Sequence, residues 1–392
     1  MAYAGRLILF NGENFLSAWI VPLKKPRPDI ERFLAAMSGD KVPARAPLIE
    51  YLIDNAVMRP ILEKMMDRMW VDTSDQTEYT GGQMDFSEAN LEIVNAWLDN
   101  QIAFWYHLGY DFIRVEVSLP LPATALLVGD TAAGNRDHNR AWQGLHNGPI
   151  KSWDDFETYP WPTVSEKNFY VHRYICDHLP DGMGFLSCHA GGVYEHVSRL
   201  IGYENLCLFL YDQPEIVRAV TDRLGGLIER YNDHLLQLDS LAAIFQGEDL
   251  GYNTQTLISP RHIREYFLPW HKKYAAHAHR AGKKYYFHSC GKIDEIMDDL
   301  INDVGIDAKH SFQDGVSPIS EAKERWGDRI ALLGGVDVNK LASWPPEKLR
   351  RYVRKVIDIG SPGGRFAVGA GNSIPSYIPV ENYLTMLDEA LR

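Results

Sequence analysis

Short apolar runs alternate with amphipathic stretches along most of this chain. Eight runs read as strands, at residues 46–51, 112–117, 184–188, 242–246, 285–288, 306–309, 330–333 and 366–369. Between most of them apolar residues recur at helical spacing, as over residues 90–108, 214–238, 260–280, 293–303 and 346–359. An earlier helix is predicted over residues 30–37, with Asp29 as its cap and a stop near Gly39. Strand then helix, repeated about eight times, predicts an α/β chain folded as a (β/α)8 TIM barrel. A doubly wound open sheet would carry a Gly-rich phosphate loop directly after an early strand, and the sequence has none.

Two segments break the alternation. Residues 1–28 end in the proline-rich Lys24-Lys25-Pro26-Arg27-Pro28 and read as an N-terminal extension over the body, leaving residues 29–392 as one barrel domain. Residues 119–162 are rich in Gly, Pro, Trp and Asn and form a long excursion after the second strand. Its length suits a lid over the barrel mouth, with Trp142, Trp153 and Trp161 serving either an apolar substrate or the lid's own packing.

Composition narrows the classes. Forty Lys and Arg against 52 Asp and Glu give a formal charge of −12, without a basic block that could track phosphates, so nucleic acid is not expected as a partner. Four cysteines, Cys176, Cys188, Cys207 and Cys290, are too sparse for a disulfide framework and fit a reducing cytoplasm. The first ten residues lack a signal-peptide pattern and no run reaches membrane-spanning length. A cytoplasmic protein with no membrane contact is the expectation.

Barrel chemistry gathers at the carboxyl ends of strands. The turn His288-Ser289-Cys290-Gly291 ends the fifth predicted run, so alternation would point His288 and Cys290 to one face, as nitrogen and sulfur donors for a soft metal such as zinc. Packing explains two such residues equally well. Other strand ends supply Glu50, Glu116, Cys188 with His189, Gln246 with Glu248 and Asp249, His310, Asp337 and Asn372. Glu116 shares a strand face with Arg114, so an ion pair and a pocket role both stand open. Two adjacent carboxylates at Glu248 and Asp249 are costly after a buried strand unless solvated, paired or metal-bound. His310 reads as a barrel-end histidine or a catalytic one, and Tyr194, after Gly191-Gly192, as a substrate hydrogen-bond partner or apolar cover.

From about Ile30 to its end the chain resembles the uroporphyrinogen decarboxylase superfamily, which includes cobalamin- and coenzyme M-linked methyltransferases. The resemblance rests on Gly247-Glu248-Asp249-Leu250-Gly251 with Ser259-Pro260, on His288-Ser289-Cys290-Gly291, on Leu333-Gly334-Gly335-Val336-Asp337, and on Gly371-Asn372-Ser373-Ile374-Pro375 followed by Pro379-Val380-Glu381-Asn382. It implies a (β/α)8 barrel and possible homodimers. The decarboxylase branch carries paired arginines after its first strand, where this chain has Ile49-Glu50-Tyr51-Leu52. Its catalytic Asp matches Glu116, and its late histidine falls at about Ala370. The methyltransferase branch binds zinc through His-x-Cys and a further cysteine, which should fall near Gly369-Ala370-Gly371 and is missing.

The leading expectation is therefore a methyltransferase or demethylase moving a methyl group between a small substrate and a corrinoid on a partner protein. His288 and Cys290 would bind zinc with Glu248 as third ligand, ahead of Asp249, His189, Cys188 and His310. Glu116, Asp249 and His310 would be catalytic, and Glu50, Tyr194, Gln246, Asp337 and Asn372 would contact substrate. The rivals are a metal-free lyase or decarboxylase on a small carboxylated or aromatic compound, using Glu116 and His288 as acid and base, and a non-catalytic binding barrel.

Overall fold

The computed structural model describes residues 19–71, 88–123, 125–129, 139–143 and 148–392. Its centre is a curled, all-parallel sheet of seven strands in the order β1-β4-β5-β6-β7-β8-β9. They are β1 Phe112–Arg114, β4 Gly184–Ser187, β5 Leu241–Gly247, β6 Lys284–His288, β7 Ala308–His310, β8 Ala331–Leu333 and β9 Phe366–Ala367. Helices cover the sheet, so strands such as β5 are buried at every residue and read in sequence as continuous apolar runs.

The first predicted strand, residues 46–51, is an edge contact instead. Leu48 bridges Val368, the Ile49 N–H donates to the Val368 carbonyl at 3.0 Å, and Val368 N–H donates to the Pro47 carbonyl at 2.8 Å. Pro47 has no N–H to give, which cuts the ladder at this position. Among the described residues no ladder joins this segment to β1.

The helices follow their sequence signals. Asp29 accepts the Arg32 N–H at 2.9 Å to cap Ile30–Ser38, and Gly39 ends it with φ of 78°. Along Pro214–Leu235 the buried residues Ile216, Val220, Leu224, Leu227 and Tyr231 form one face toward the sheet. The stretch from Pro260 to Arg280 passes through a π-turn at Ile263–Phe267, just ahead of Pro269, whose missing N–H prevents a regular ladder.

Residues 19–28 run along the body: Trp19 donates to Thr385, the Ile20 N–H to Asp388 and the Leu23 N–H to the His107 carbonyl. Residues 1–18 lie outside the described residues. In the excursion, β2 Ala125–Gly129 and β3 Asn139–Gln143 pair as an antiparallel hairpin, while residues 130–138 and 144–147 lie outside the described residues, as does the side chain of Trp142. Trp153 is exposed, and Trp161 packs edge-on against Phe156 and Tyr159 beneath Arg223 of the long helix. These two tryptophans serve local packing rather than a pocket. No helix among the described residues is long and apolar enough to cross a membrane.

Candidate metal centre and substrate cavity

Asp249, His288 and Cys290 come together where β5 and β6 end, with one donor atom from each within 4.8 Å of the others. The pairing of the two strands continues past their ends through the Glu248 N–H to the His288 carbonyl, 2.9 Å. Beyond it the loops are pinned face to face. Leu250 N–H donates to Ser289 Oγ at 3.1 Å, the Cys290 N–H to Asp249 Oδ1 at 2.9 Å, and Tyr252 bridges Lys292. Gly291 has φ of 74°, and a Cβ there would lie 2.3 Å from the Gly251 carbonyl carbon, so both the turn and the close approach demand glycine.

The hydrogen-bond network fixes the His288 tautomer. His310 Nε2 faces the Ala370 carbonyl at 3.2 Å, so it carries the proton. Burial, reinforced by Lys309, pushes the His310 pKa down to about 3, so its Nδ1 is a lone pair. His288 Nδ1, 2.7 Å away, must then be the donor. Burial also holds His288 neutral, which leaves Nε2 as a bare lone pair 3.4 Å from Cys290 Sγ and 3.6 Å from Asp249 Oδ1. Asn372 donates from Nδ2 to that sulfur at 3.2 Å, near the place where the resemblance calls for a further cysteine. Burial and then Asp249 push the Cys290 thiol up, and burial pushes Asp249 up against the opposing Cys290 N–H. All four cysteines are free.

Tyr51 joins this centre to β1. Its ring stacks on His288 at 3.9 Å and 5°, and the Arg114 guanidinium lies 3.8 Å from the same centroid, so the two occupy opposite faces. Arg114 pairs with Glu116 Oε2, and Tyr51 Oη donates to the same oxygen at 3.2 Å. Both open readings of Glu116 hold together: it pairs with Arg114, and it also lines a cavity of about 210 Å³ with Tyr51, Met58, Trp97, Gln101 and Trp105.

The other predicted residues sit elsewhere. Glu248 turns away from the metal donors: Oε2 accepts the Tyr194 N–H at 3.0 Å and faces His271 Nε2 at 2.7 Å, while Oε1 accepts the Glu195 N–H at 3.0 Å. It caps the helix Val193–Ile201, whose first N–H groups need an acceptor. Cys188 lies beside Glu116 at 3.6 Å, and His189 accepts the Leu119 N–H through Nε2. His310 acts behind His288 rather than at the open face. Gln246 donates to the carbonyls of His189, Gly191 and Gly247, bracing the loop after β4. Asp337 caps Val338–Ser343 through the Lys340 N–H and also accepts the Asp314 N–H. Tyr194 is buried against Phe267.

Glu50 is fully buried and accepts the Ala370 N–H at 3.0 Å, away from the cavity lining. Burial, against that N–H, raises its pKa well above 4.5. A raised carboxyl pKa means the folded chain holds a proton that the unfolded chain releases. Its contribution is intact below about 4.5 and is lost as pH rises, by up to about 1.4 kcal/mol per pH unit. Glu50→Gln should therefore gain on the native protein between about pH 5 and about pH 8 in thermal-melt measurements; a gap that does not widen contradicts a buried neutral acid.

The sequence singles out Arg114 only as an ion-pair partner of Glu116, which it is; Tyr51 and Lys309 carry no sequence-level prediction. Lys309 is buried inside β7 and donates to the carbonyls of Ser289, His310 and Ser311, stapling the β6 turn to β7; burial lowers its pKa to about 8. Its only sequence signal is a charged residue within an apolar run.

The family profile described as uroporphyrinogen decarboxylase (URO-D) matches residues 145–392, which include both metal-donor loops and the Asn372 turn. The chain belongs to the uroporphyrinogen decarboxylase family. Uroporphyrinogen decarboxylase from Paraburkholderia phytofirmans is 33% identical over 102 residues, covering 26% of this chain and 25% of that protein. Uroporphyrinogen decarboxylase from Paraburkholderia xenovorans is 32% identical over the same length, with the same coverage. The matched stretch spans about a quarter of the length of these curated relatives. Among solved structures, a methyltransferase from Methanosarcina mazei superposes with a TM-score of 0.64 at 14% identity, covering 92% of this chain and 97% of that one. At that identity the likeness speaks for the fold alone.

Proposed function

We propose that this chain is a URO-D-like methyltransferase or demethylase that moves a methyl group between a small substrate and a corrinoid on a partner protein, with zinc held by Asp249, His288 and Cys290. In the same reading residues 47–53 close the sheet as a (β/α)8 barrel. The observation that carries it is the convergence of a His288 nitrogen, the Cys290 sulfur and an Asp249 oxygen within 4.8 Å of one another. Nitrogen, sulfur and oxygen donors in one cluster suit zinc, and three protein ligands leave a coordination position open. When bound, the metal would act as a Lewis acid, turning a thiol into a thiolate or polarising the atom that gives up its methyl group.

The chain's own residues do the rest. His310 holds the His288 proton on Nδ1 and keeps the ring oriented. Asn372 donates to the Cys290 sulfur, a bond that strengthens once the sulfur is charged. Tyr51 fixes the His288 ring from its face, and its hydroxyl anchors Glu116 at the cavity wall. The segment Ile49-Glu50-Tyr51-Leu52, where the decarboxylase branch carries paired arginines, offers no cation for porphyrinogen carboxylates, which disfavours that chemistry.

Mixing the zinc-loaded protein with methylcobalamin and a small thiol should convert the absorbance of methylcobalamin to that of cob(I)alamin as the thiolate takes the methyl group, and Cys290→Ala should abolish the change. Release of carbon dioxide from 2-methoxybenzoate by metal-free protein would instead favour the lyase.

A further inference from the structure

We propose a second binding site, for a small phosphate monoester, at the end of the sheet opposite the metal donors. Asp111 directly precedes β1, whereas Asp249, His288 and Cys290 lie where β5 and β6 end, and all seven strands are parallel. The two sites therefore occupy opposite faces of the fold. At the Asp111 end a cavity of about 240 Å³ opens between residues 23–28 and the underside of the sheet. Lys25 and Arg27 line it from one wall, and Arg32, Arg45 and Asp111 from the other. Four cations face one carboxylate, in a chain whose formal charge is −12.

That carboxylate is already engaged. Asp111 Oδ1 accepts the Asp29 N–H at 2.8 Å and an Arg32 N–H at 2.9 Å. Lys25, Arg27 and Arg45 have no ion-pair partner among the described residues, and Arg45 spends one N–H on the Leu391 carbonyl at 3.1 Å. Arg32 and Arg45 stand close enough to repel: desolvation and then Arg32 hold Arg45 below its ordinary pKa, with Asp111 opposing them. An anion between the guanidiniums would relieve that repulsion. The wall it would meet is fixed in advance. The Leu23 N–H donates to the His107 carbonyl at 2.7 Å, the Ile30 N–H to the Gly182 carbonyl at 2.9 Å, and Pro26 and Pro28 restrict the backbone between them.

Charge and size then select the ligand. With Arg32 paired to Asp111, three cations remain, which a dianion answers better than a single carboxylate. A phosphate monoester carries about −1.5 to −2 charges at neutral pH and three acceptor oxygens, which suit the planar forks of Arg27 and Arg45. The volume exceeds the roughly 150 Å³ that takes benzene and falls below the roughly 300–1,000 Å³ of sites for drug-sized ligands. A phosphate on a short carbon chain fits.

The test is calorimetric titration of the full-length protein with glycerol 3-phosphate, malonate and glycerol, at fixed ionic strength in buffer free of phosphate and sulfate. Glycerol 3-phosphate should bind saturably and raise the melting temperature. Malonate should bind more weakly, and glycerol not at all. Arg27→Gln and Arg45→Gln should each weaken glycerol 3-phosphate about tenfold, as expected of a lost hydrogen bond between charged groups. Lys24→Gln, exposed on the same segment but outside the cavity, should change it less than about twofold. Absence of saturable binding, malonate binding as tight as that of glycerol 3-phosphate, or equal losses in all three variants overturns the site. Sedimentation with phosphatidate-containing vesicles by a protein that ignores glycerol 3-phosphate would assign the charge to a lipid surface and overturn it as well.

Discussion

Glu248→Ala is expected to destabilise the protein by about 3–5 kcal/mol, because it leaves three buried polar groups without their partner at roughly 1–3 kcal/mol each. Glu248 and His271 are both fully buried, and His271 also bonds Tyr285 Oη at 2.8 Å. Truncation strands the Tyr194 and Glu195 N–H groups and one imidazole nitrogen where water does not reach. Space is no remedy: a Cβ on Gly192 would sit 2.3 Å from the Glu248 carboxyl carbon, so the helix end is fitted to this side chain. Urea unfolding checks the prediction, and a loss under about 1 kcal/mol would show that the pair is not a structural element. The zinc affinity of the fraction that remains folded should not change, because Glu248 faces away from the donors.

His310→Phe carries the second large effect. It removes the acceptor for His288 Nδ1–H and with it the constraint that presents Nε2 to Cys290 and Asp249. Loss of such an outer partner costs roughly 10–100-fold in metal affinity or activity. His310 stacks on Tyr51 and meets Phe245 edge-on, contacts that a phenyl group can keep, so the fold should persist. Competition with a chromophoric chelator measures the affinity, and an unchanged value would mean that the His288 orientation does not depend on His310.

The sequence made the sheet legible because buried parallel strands are uninterrupted apolar runs between amphipathic helices. It overstated the first predicted strand, since Pro47 looks apolar yet cannot donate to a ladder. His288, Cys290 and Asn372 were all legible as strand-end polar residues, but the contact between Cys290 and Asn372 spans 82 positions and no local pattern encodes it. Glu248 and Asp249 are adjacent acids, and their spacing does not reveal which faces the metal donors. That is decided by the unpaired N–H groups of Val193–Ile201, which draw Glu248, and by the Cys290 N–H, which draws Asp249. Tyr51 was hidden for a different reason. An aromatic residue in an apolar run reads as core, and only the geometry shows Arg114 on one face and His288 on the other.

The most direct measurement is the metal content of the purified protein, by elemental analysis, beside Asp249→Ala and Cys290→Ala. One zinc per chain in the native protein, lost from both variants while their melting profiles stay cooperative, is the predicted result. A metal-free native protein that keeps full activity after exhaustive chelation would contradict the zinc centre at Asp249, His288 and Cys290.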